Sequence, residues 1–306
     1  MTQILSALAP VFVLILLGYL LKSRRLVSAA FWPPAEKLTY YLFFPALLVF
    51  NTSQANLEGL RIGPMAAVLI GGVGSIALLV LALRPRMDLD GAAFTSVFQG
   101  SFRPNTYVAI AAAFALFDQA GLTLIAVCIV VLVPTVNLFS VIAMVRYATP
   151  GGGAPGWPGT LAAVATNPLI LACLLGALIN VSGYGLPPVA GPLLDILGRA
   201  ALPIGLIAVG AGLDIPAARA AGRIVAATAV IKLAALPLAT IALCRLAGIE
   251  GLTATVLVMY AAVPGSPSSY VLARQMGGDA ELMAGIITAT TLAAMAAMPL
   301  WVMAAG

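Results

Sequence analysis

The chain alternates long apolar runs with short polar connections. An α-helix of about 20 apolar residues crosses the roughly 30 Å of bilayer hydrocarbon, and the runs reach this length. The pattern predicts ten membrane-spanning helices, at residues 3–21, 37–54, 62–83, 90–117, 120–146, 160–181, 188–212, 219–244, 250–276 and 282–304. A membrane β-barrel would show short segments of alternating polarity instead. The expected fold class is therefore an all-α membrane protein.

Composition supports this prediction. Of the 306 residues, 62% are hydrophobic and 8% are charged, whereas about a quarter of residues is charged in a typical soluble domain. Cys128, Cys173 and Cys244 lie inside apolar runs, where we interpret them as small buried hydrophobes. The chain has no His and no metal-ligand spacing, so we expect neither a cofactor nor a metal centre.

Charge placement predicts the orientation. The net charge of +5 does not indicate a nucleic-acid partner, because the basic residues stand at the ends of apolar runs. None precedes the first run, and Lys22, Arg24 and Arg25 follow it, which is the reverse of a secretory signal. With the N-terminus outside, the inner connections carry ten basic residues and the outer ones only Arg61 and Arg245. The positive-inside rule then predicts both termini outside the cytoplasm.

A turn-rich segment divides the chain into two similar halves. We predict a linker at 148–158 between one five-helix repeat, 1–147, and another, 159–306. At an offset of 158 residues, and of 160 after a two-residue indel, prolines coincide: Pro10 with Pro168, Pro34 with Pro192, Pro45 with Pro203, and Pro104 with Pro264. An odd number of spans gives the second copy the opposite polarity, as in the inverted repeats of many secondary transporters. An old duplication without functional meaning is the alternative.

Two spans carry proline and small polar residues near their middle. Proline removes a backbone donor and clashes with the preceding turn, and unpaired backbone at that depth needs protein or a watery cavity around it. Two broken helices at matched repeat positions predict a transporter site, and their positive N-terminal ends suit an anion. The candidate substrate-binding residues are Arg103, Pro104, Asn105, Thr106, Pro264, Gly265, Ser266 and Ser268. Ordinary tolerance of proline is the alternative.

Two cations are predicted to lie at depth. Lys232 is near the middle of span 8, and Arg103 adjoins the first break. A cation at mid-bilayer costs about 2.5–3.5 kcal/mol on insertion scales, and no span carries a central Asp or Glu. The two side chains could therefore serve a bound carboxylate. Alternatively, Arg103 snorkels to the interface and Lys232 meets backbone carbonyls. Asn51 and Asn137 are added as further substrate contacts. Helix–helix hydrogen bonding is the expected role of the threonines, which are Thr52, Thr135, Thr288, Thr290 and Thr291.

The chain resembles the auxin efflux carrier family, which includes bacterial members and the plant PIN-type carriers. Three segments carry the resemblance: Leu38-Thr39-Tyr40-Tyr41-Leu42-Phe43-Phe44-Pro45-Ala46-Leu47-Leu48, the break at Pro104-Asn105-Thr106, and the break at Pro264. The resemblance implies a fold like that of bile acid sodium symporters and sodium/proton antiporters. Spans 1, 2, 6 and 7 would form a scaffold, often dimeric, and spans 3–5 and 8–10 a moving domain.

The resemblance also implies the cargo. The family moves organic anions, including auxin and carboxylates such as malonate, and the asparagine after the first break proline contacts substrate in plant members. Asn105 matches that asparagine, whereas the long central loop of many plant members is absent here.

The expected function is an elevator-type carrier of small organic anions. We expect a homodimer surrounded by lipid in a bacterial inner membrane. An enzyme is not expected, because acid–base chemistry usually needs His or paired carboxylates. A sodium- or proton-coupled carboxylate symporter, with sodium held by carbonyls at the breaks, and an anion channel are the alternatives.

Overall fold

A computed structural model describes residues 2–55, 60–148, 165–166, 168–220 and 222–306. Within these ranges the regular structure is helical, apart from one isolated antiparallel bridge. The helices are α1 Thr2–Ser23, α2 Trp32–Leu38, α3 Phe44–Ser53, α4 Ile62–Leu83, α5 Gly91–Gly100, α6 Thr106–Tyr147, α7 Pro168–Ser182, α8 Ala190–Ala211, α9 Ile215–Ala220, α10 Gly222–Val230, α11 Leu236–Leu246, α12 Gly251–Ala262, α13 Pro267–Met276 and α14 Ala280–Ala305. Short 3-10 turns occupy Ala29–Phe31 and Arg84–Arg86. The predicted linker, except Ala148, lies outside the described residues.

Several helices match the dimensions of a bilayer. In the described ranges, six are long and apolar enough to cross a membrane: Ile4–Ser23, Ile62–Arg86, Thr106–Tyr147, Ala190–Ala211, Gly222–Leu246 and Ala280–Ala305. The apolar helices α7 and α12 are shorter. The all-α prediction is confirmed for these residues, and the number of ten spans stays a prediction.

The long helix α6 is interrupted at Asp118, between predicted spans 4 and 5. The Asp118 backbone has φ 47° and ψ −134°, a conformation that costs a non-glycine residue of the order of 1–3 kcal/mol. The next residue is anchored, because Gln119 Nε2 donates a 3.0 Å hydrogen bond to the Asn51 carbonyl. The 42-residue helix therefore consists of two helices that meet at a sharp bend.

The chain forms two compact units. The first comprises Met1–Arg61, Tyr107–Val130 and Ala163–Gly212. Within it, α1 packs on α8 through glycines, because a side chain on Gly18 would overlap the carbonyl oxygen of Ile207. Close backbone approach at small residues is the usual way in which membrane helices pack.

The second unit comprises Ile62–Thr106, Val131–Ala162 and Leu213–Gly306. At its centre, α14 contacts α5, α9, α10, α12 and α13. Like the first unit, it takes segments from both predicted halves of the chain. The division into repeats at 1–147 and 159–306 stays a prediction.

Two prolines are accommodated by wide, π-helical turns. The turns Thr39–Phe43 and Ile231–Ala235 precede Pro45 and Pro237 within two residues. Proline has no N–H and its ring clashes with the carbonyl four residues earlier. A π-helical turn is a recognised way for a helix to absorb such a disruption and continue. Two helices thus pass a proline without ending.

Candidate functional site

The first break lies between α5 and α6. Helix α5 ends at Gly100 and α6 begins at Thr106. Pro104 explains the interruption, since it has no N–H and would clash with the Gly100 carbonyl in a continuous helix. The polar residues between the two helices are enclosed: Arg103 is 5% exposed and Asn105 1%.

The second break lies between α12 and α13. Helix α12 ends at Ala262, Val263 is extended with φ −64° and ψ 154°, and α13 begins at Pro267. Pro264 offers no N–H to the carbonyl of Tyr260, which favours the end of α12 at this point. Pro267 occupies the first turn of α13, where a missing N–H has no cost.

The two breaks are joined through their backbones. The Asn105 N–H donates a 2.9 Å hydrogen bond to the Pro264 carbonyl. Pro104 and Gly265 form the isolated antiparallel bridge. Two segments 160 positions apart in the sequence therefore lie side by side within the second unit.

Thr290 of α14 supports the second break. Its hydroxyl accepts a 3.0 Å hydrogen bond from the Gly265 N–H and donates one of 2.7 Å to the Ile286 carbonyl. A Cβ on Gly265 would stand 3.2 Å from the same hydroxyl oxygen, which leaves little room for a side chain. The sequence suggested only a helix–helix hydrogen bond for Thr290, whereas the structure gives its hydroxyl a place at the break.

Arg103 connects the two breaks by its side chain. Its Nη2 donates a 2.9 Å hydrogen bond to the hydroxyl of Ser268, in the first turn of α13. That hydroxyl also lies 2.8 Å from the hydroxyl of Ser266. With 5% of its surface exposed, Arg103 does not snorkel. That alternative interpretation of Arg103 is therefore wrong.

Lys232 reaches the second break from another helix. It lies in the wide turn Ile231–Ala235, is 0% exposed, and donates a 2.7 Å hydrogen bond from Nζ to the Ala261 carbonyl. This contact is the one expected under the alternative interpretation, in which Lys232 binds a backbone carbonyl. That carbonyl belongs to the last turn of α12, where the negative end of the helix dipole favours a cation.

The breaks gather buried positive charge. Arg103 and Lys232 are the only charged side chains that are buried in the described part of the chain. The salt bridge seen there, between Arg199 and Asp195, is far more accessible, with side chains 78% and 32% exposed. The acidic groups of the described residues thus remain nearer to the surface than these two cations.

Comparison with known proteins supports a transport function. Residues 160–302 match the family described as membrane transport protein. An uncharacterized transporter of Methanothermobacter thermautotrophicus is 24% identical over 295 residues, which cover 95% of each chain. Both findings support the resemblance to the auxin efflux carrier family. The resemblance noted from the sequence is confirmed, and the protein is a membrane transporter rather than an enzyme.

Three other candidate residues of this membrane transporter are placed as follows. Asn51 belongs to the first unit, where its Nδ2 donates a 2.6 Å hydrogen bond to the Leu47 carbonyl of its own helix. Thr106 begins α6, and Asn137 is half-buried further along that helix. The structure thus brings together the break residues, Arg103 and Lys232 within the second unit, and assigns Asn51 to the first.

Two buried polar residues near the breaks were missed by the sequence reasoning. Gln99, in the last turn of α5, donates a 3.2 Å hydrogen bond from Nε2 to the Ser269 carbonyl. Both residues are 0% exposed. Gln99 Oε1 and Ser269 Oγ have no hydrogen-bond partner among the described residues. A glutamine within the apolar run Val97-Phe98-Gln99 was the signal that could have found this pair.

The surroundings of the first break are closely packed. A cavity of about 10 Å³ adjoins Phe102, Pro104, Tyr260 and Ala261. This volume holds about one water molecule. For an organic anion to enter this cavity, the lining side chains would have to move apart.

Proposed function

We propose that this transporter is a secondary carrier for small organic anions, such as carboxylates or auxin-like acids. One observation carries the proposal: among the residues that the structure describes, the two buried charged side chains are both cations, and both bind the paired breaks. Arg103 extends from the first break to Ser268, and Lys232 donates to Ala261 beside the second. A carboxylate bound here would offset the cost of burying positive charge.

The proposed ligand contacts follow from the chemistry of the side chains. Arg103 has a planar fork of donors that matches a carboxylate. The amide of Asn105 supplies a neutral donor next to it, and Ser266 and Ser268 supply hydroxyls. Lys232 adds positive electrostatic potential at the second break. Pro104, Gly265 and Pro264 shape the backbone around the ligand.

We also propose that the substrate contacts Thr106, Asn51 and Asn137 during the transport cycle. For Asn51 this requires its side-chain amide to leave Leu47, because the 2.6 Å bond occupies one donor hydrogen. These three residues are therefore secondary to Arg103 and Asn105 in the proposal.

The proposed mechanism is elevator-type alternating access. Ten helices in two inverted repeats would provide a scaffold of spans 1, 2, 6 and 7, paired as a homodimer, and a moving domain of spans 3–5 and 8–10. The paired breaks would travel with the moving domain. The protein would lie in the inner membrane with both termini outside, as the positive-inside bias suggests.

We further propose that the membrane potential drives the anion without an ion partner. In sodium-coupled transporters, carbonyls at helix breaks commonly hold the ion. Here the carbonyls of Pro264 and Ala261 already accept hydrogen bonds, which weighs against a sodium ion at those two oxygens. A sodium- or proton-coupled symporter and an anion channel are the alternatives that experiments must separate.

A thermal-shift screen of the purified protein tests the proposal. Malonate, other small carboxylates and indole-3-acetate are compared with neutral amides of the same shape, each with sodium and with choline as the cation. We expect at least one carboxylate to raise the unfolding midpoint without sodium, and Arg103→Ala to require a much higher carboxylate concentration for the same rise. Stabilisation by the neutral amide alone, or by no compound in the panel, would contradict an anion site.

A further inference from the structure

We propose that the ammonium group of Lys232 is a built-in cation that replaces a coupling ion at the second break. The inference rests on the proposed carrier function, and it concerns the one carbonyl to which Lys232 donates. It gives Lys232 the role of a positioning residue, which organises the break that holds the substrate, and leaves direct anion contact to Arg103 and Asn105.

The break itself creates a vacancy at the Ala261 carbonyl. In a continuous helix, this oxygen would accept the N–H of Gly265, four residues later. That N–H is instead donated to the Thr290 hydroxyl at 3.0 Å. Lys232 Nζ takes over the vacant acceptor at 2.7 Å. The Lys232 amino group thus stands at the negative end of α12, where the helix dipole favours its charged form.

The wide turn that carries Lys232 is itself fixed in place. Pro237 cannot donate to the Leu233 carbonyl four residues before it. The indole Nε1 of Trp301 supplies the missing donor, with a 2.6 Å hydrogen bond to that carbonyl. Lys232 therefore projects from a segment whose backbone is held by α14.

The same carbonyl chemistry binds metal cations elsewhere. Half-helix C-terminal ends and unwound carbonyls coordinate sodium in coupled transporters. A lysine ammonium is a compact point charge with three donors, so it can satisfy the carbonyl without an exchangeable ion. The positive charge at this break then stays with the protein throughout the transport cycle, and the charge moved per cycle is that of the anion.

The chain offers a matched control for this arrangement. Lys22 Nζ donates a hydrogen bond of the same length, 2.7 Å, to the Ala211 carbonyl at the end of α8. Lys22 is exposed, however, whereas Lys232 is 0% exposed. Water can replace the ammonium at Ala211. At Ala261, removal of the ammonium leaves a buried carbonyl that a small cation can bind.

The test is the cation dependence of stability in Lys232→Ala, Lys22→Ala and the wild type. Unfolding midpoints are measured in sodium, ammonium and choline chloride at equal ionic strength. We expect sodium or ammonium to raise the Lys232→Ala midpoint saturably, by about 2 °C or more above choline. The wild type and Lys22→Ala should show no such difference. An unresponsive Lys232→Ala, or an equal response in all three proteins, overturns the proposal.

A second variant covers the case in which Lys232→Ala does not fold. Lys232→Ser is then purified throughout in sodium, ammonium or choline chloride, and folded protein is expected in the first two. If neither variant folds in any of the salts, the proposal that a small cation can take the place of the Lys232 ammonium is wrong. These results need no substrate, so they stand apart from the anion screen. If the anion screen failed and the cation test succeeded, the proposal of an organic-anion substrate would be wrong, and the proposed role of Lys232 would stand.

Discussion

Arg103 Nη2 donates a 2.9 Å hydrogen bond to Ser268 Oγ. A second hydrogen bond joins the same two breaks through their backbones, from the Asn105 N–H to the Pro264 carbonyl at 2.9 Å. The first break therefore holds the second at two points. One of them uses the charged guanidinium group of Arg103 as its donor.

Replacing Arg103 should weaken anion binding strongly. A hydrogen bond to a charged group contributes about 1.5–3 kcal/mol, so Arg103→Ala is expected to reduce carboxylate affinity roughly tenfold to hundredfold. Arg103→Lys keeps the charge but loses the planar fork, and an intermediate loss is expected. Affinity is measured by titrating the thermal shift of each purified variant with malonate.

An exposed arginine provides the control for this series. Arg199→Ala removes an ion pair with Asp195 that belongs to the first unit and not to the breaks, and should leave affinity unchanged. Equal affinities in Arg103→Ala and Arg199→Ala would mean that Arg103 only packs the break.

Asn105→Ala should reduce affinity while largely preserving the fold. Its backbone N–H, which binds Pro264, is unaffected by the substitution. Losing one neutral donor to a carboxylate costs about 1.5–3 kcal/mol, roughly a tenfold to hundredfold change. Asn180→Ala is the matched control, because the Asn180 amide binds the carbonyls of Ser53 and Ala55 at 3.0 and 2.8 Å. That control should lower the thermal midpoint and spare affinity; the reverse pattern would contradict the assignment of Asn105.

Two adjacent threonines separate the support of the break from ordinary helix packing. Thr290→Val leaves the buried Gly265 N–H without its acceptor, which costs about 1–3 kcal/mol. Thr291 is equally enclosed, but its hydroxyl donates only to the Ile287 carbonyl of its own helix at 2.7 Å. Thr291→Val should therefore stay close to wild type. The free energy of unfolding of both variants in detergent micelles checks this, and equal losses would contradict the role of Thr290.

Much of the helical architecture could be predicted because it depends on local rules. Apolar runs and prolines are visible in the sequence, and the predicted span 62–83 coincides with α4, Ile62–Leu83. The wide turns before Pro45 and Pro237 were not predicted. Proline predicts a disruption, but whether the helix widens or ends depends on which donors neighbouring elements supply, such as Trp301 for Leu233.

The site residues differ in how far sequence could place them. A charge in an apolar run is conspicuous, so Arg103 and Lys232 could be selected without a structure. Their partners could not, because Ser268 and Ala261 lie 165 and 29 positions away. Thr290 looked like any other helical threonine, since its contact with Gly265 exists only once α14 packs against the break.

The predicted orientation places the termini outside and Gly151–Gly153 inside. It depends on the excess of basic residues in the inner connections. Single cysteines introduced at residue 152 and at the C-terminus are labelled from each side of the membrane. The native Cys128, Cys173 and Cys244 are buried and should give little background. If residue 152 were labelled only from outside, the predicted orientation would be wrong.

The most direct test of the central claim is uptake of radiolabelled malonate by purified protein in liposomes, with the potential set by potassium and valinomycin. In sodium-free buffer at equal pH, we expect malonate to accumulate on the positive side and Arg103→Ala to lose this uptake. Each unit of charge moved through 100 mV is worth about 2.3 kcal/mol, a roughly fiftyfold gradient. Uptake that requires a sodium or proton gradient and ignores the imposed potential would contradict the uncoupled anion carrier.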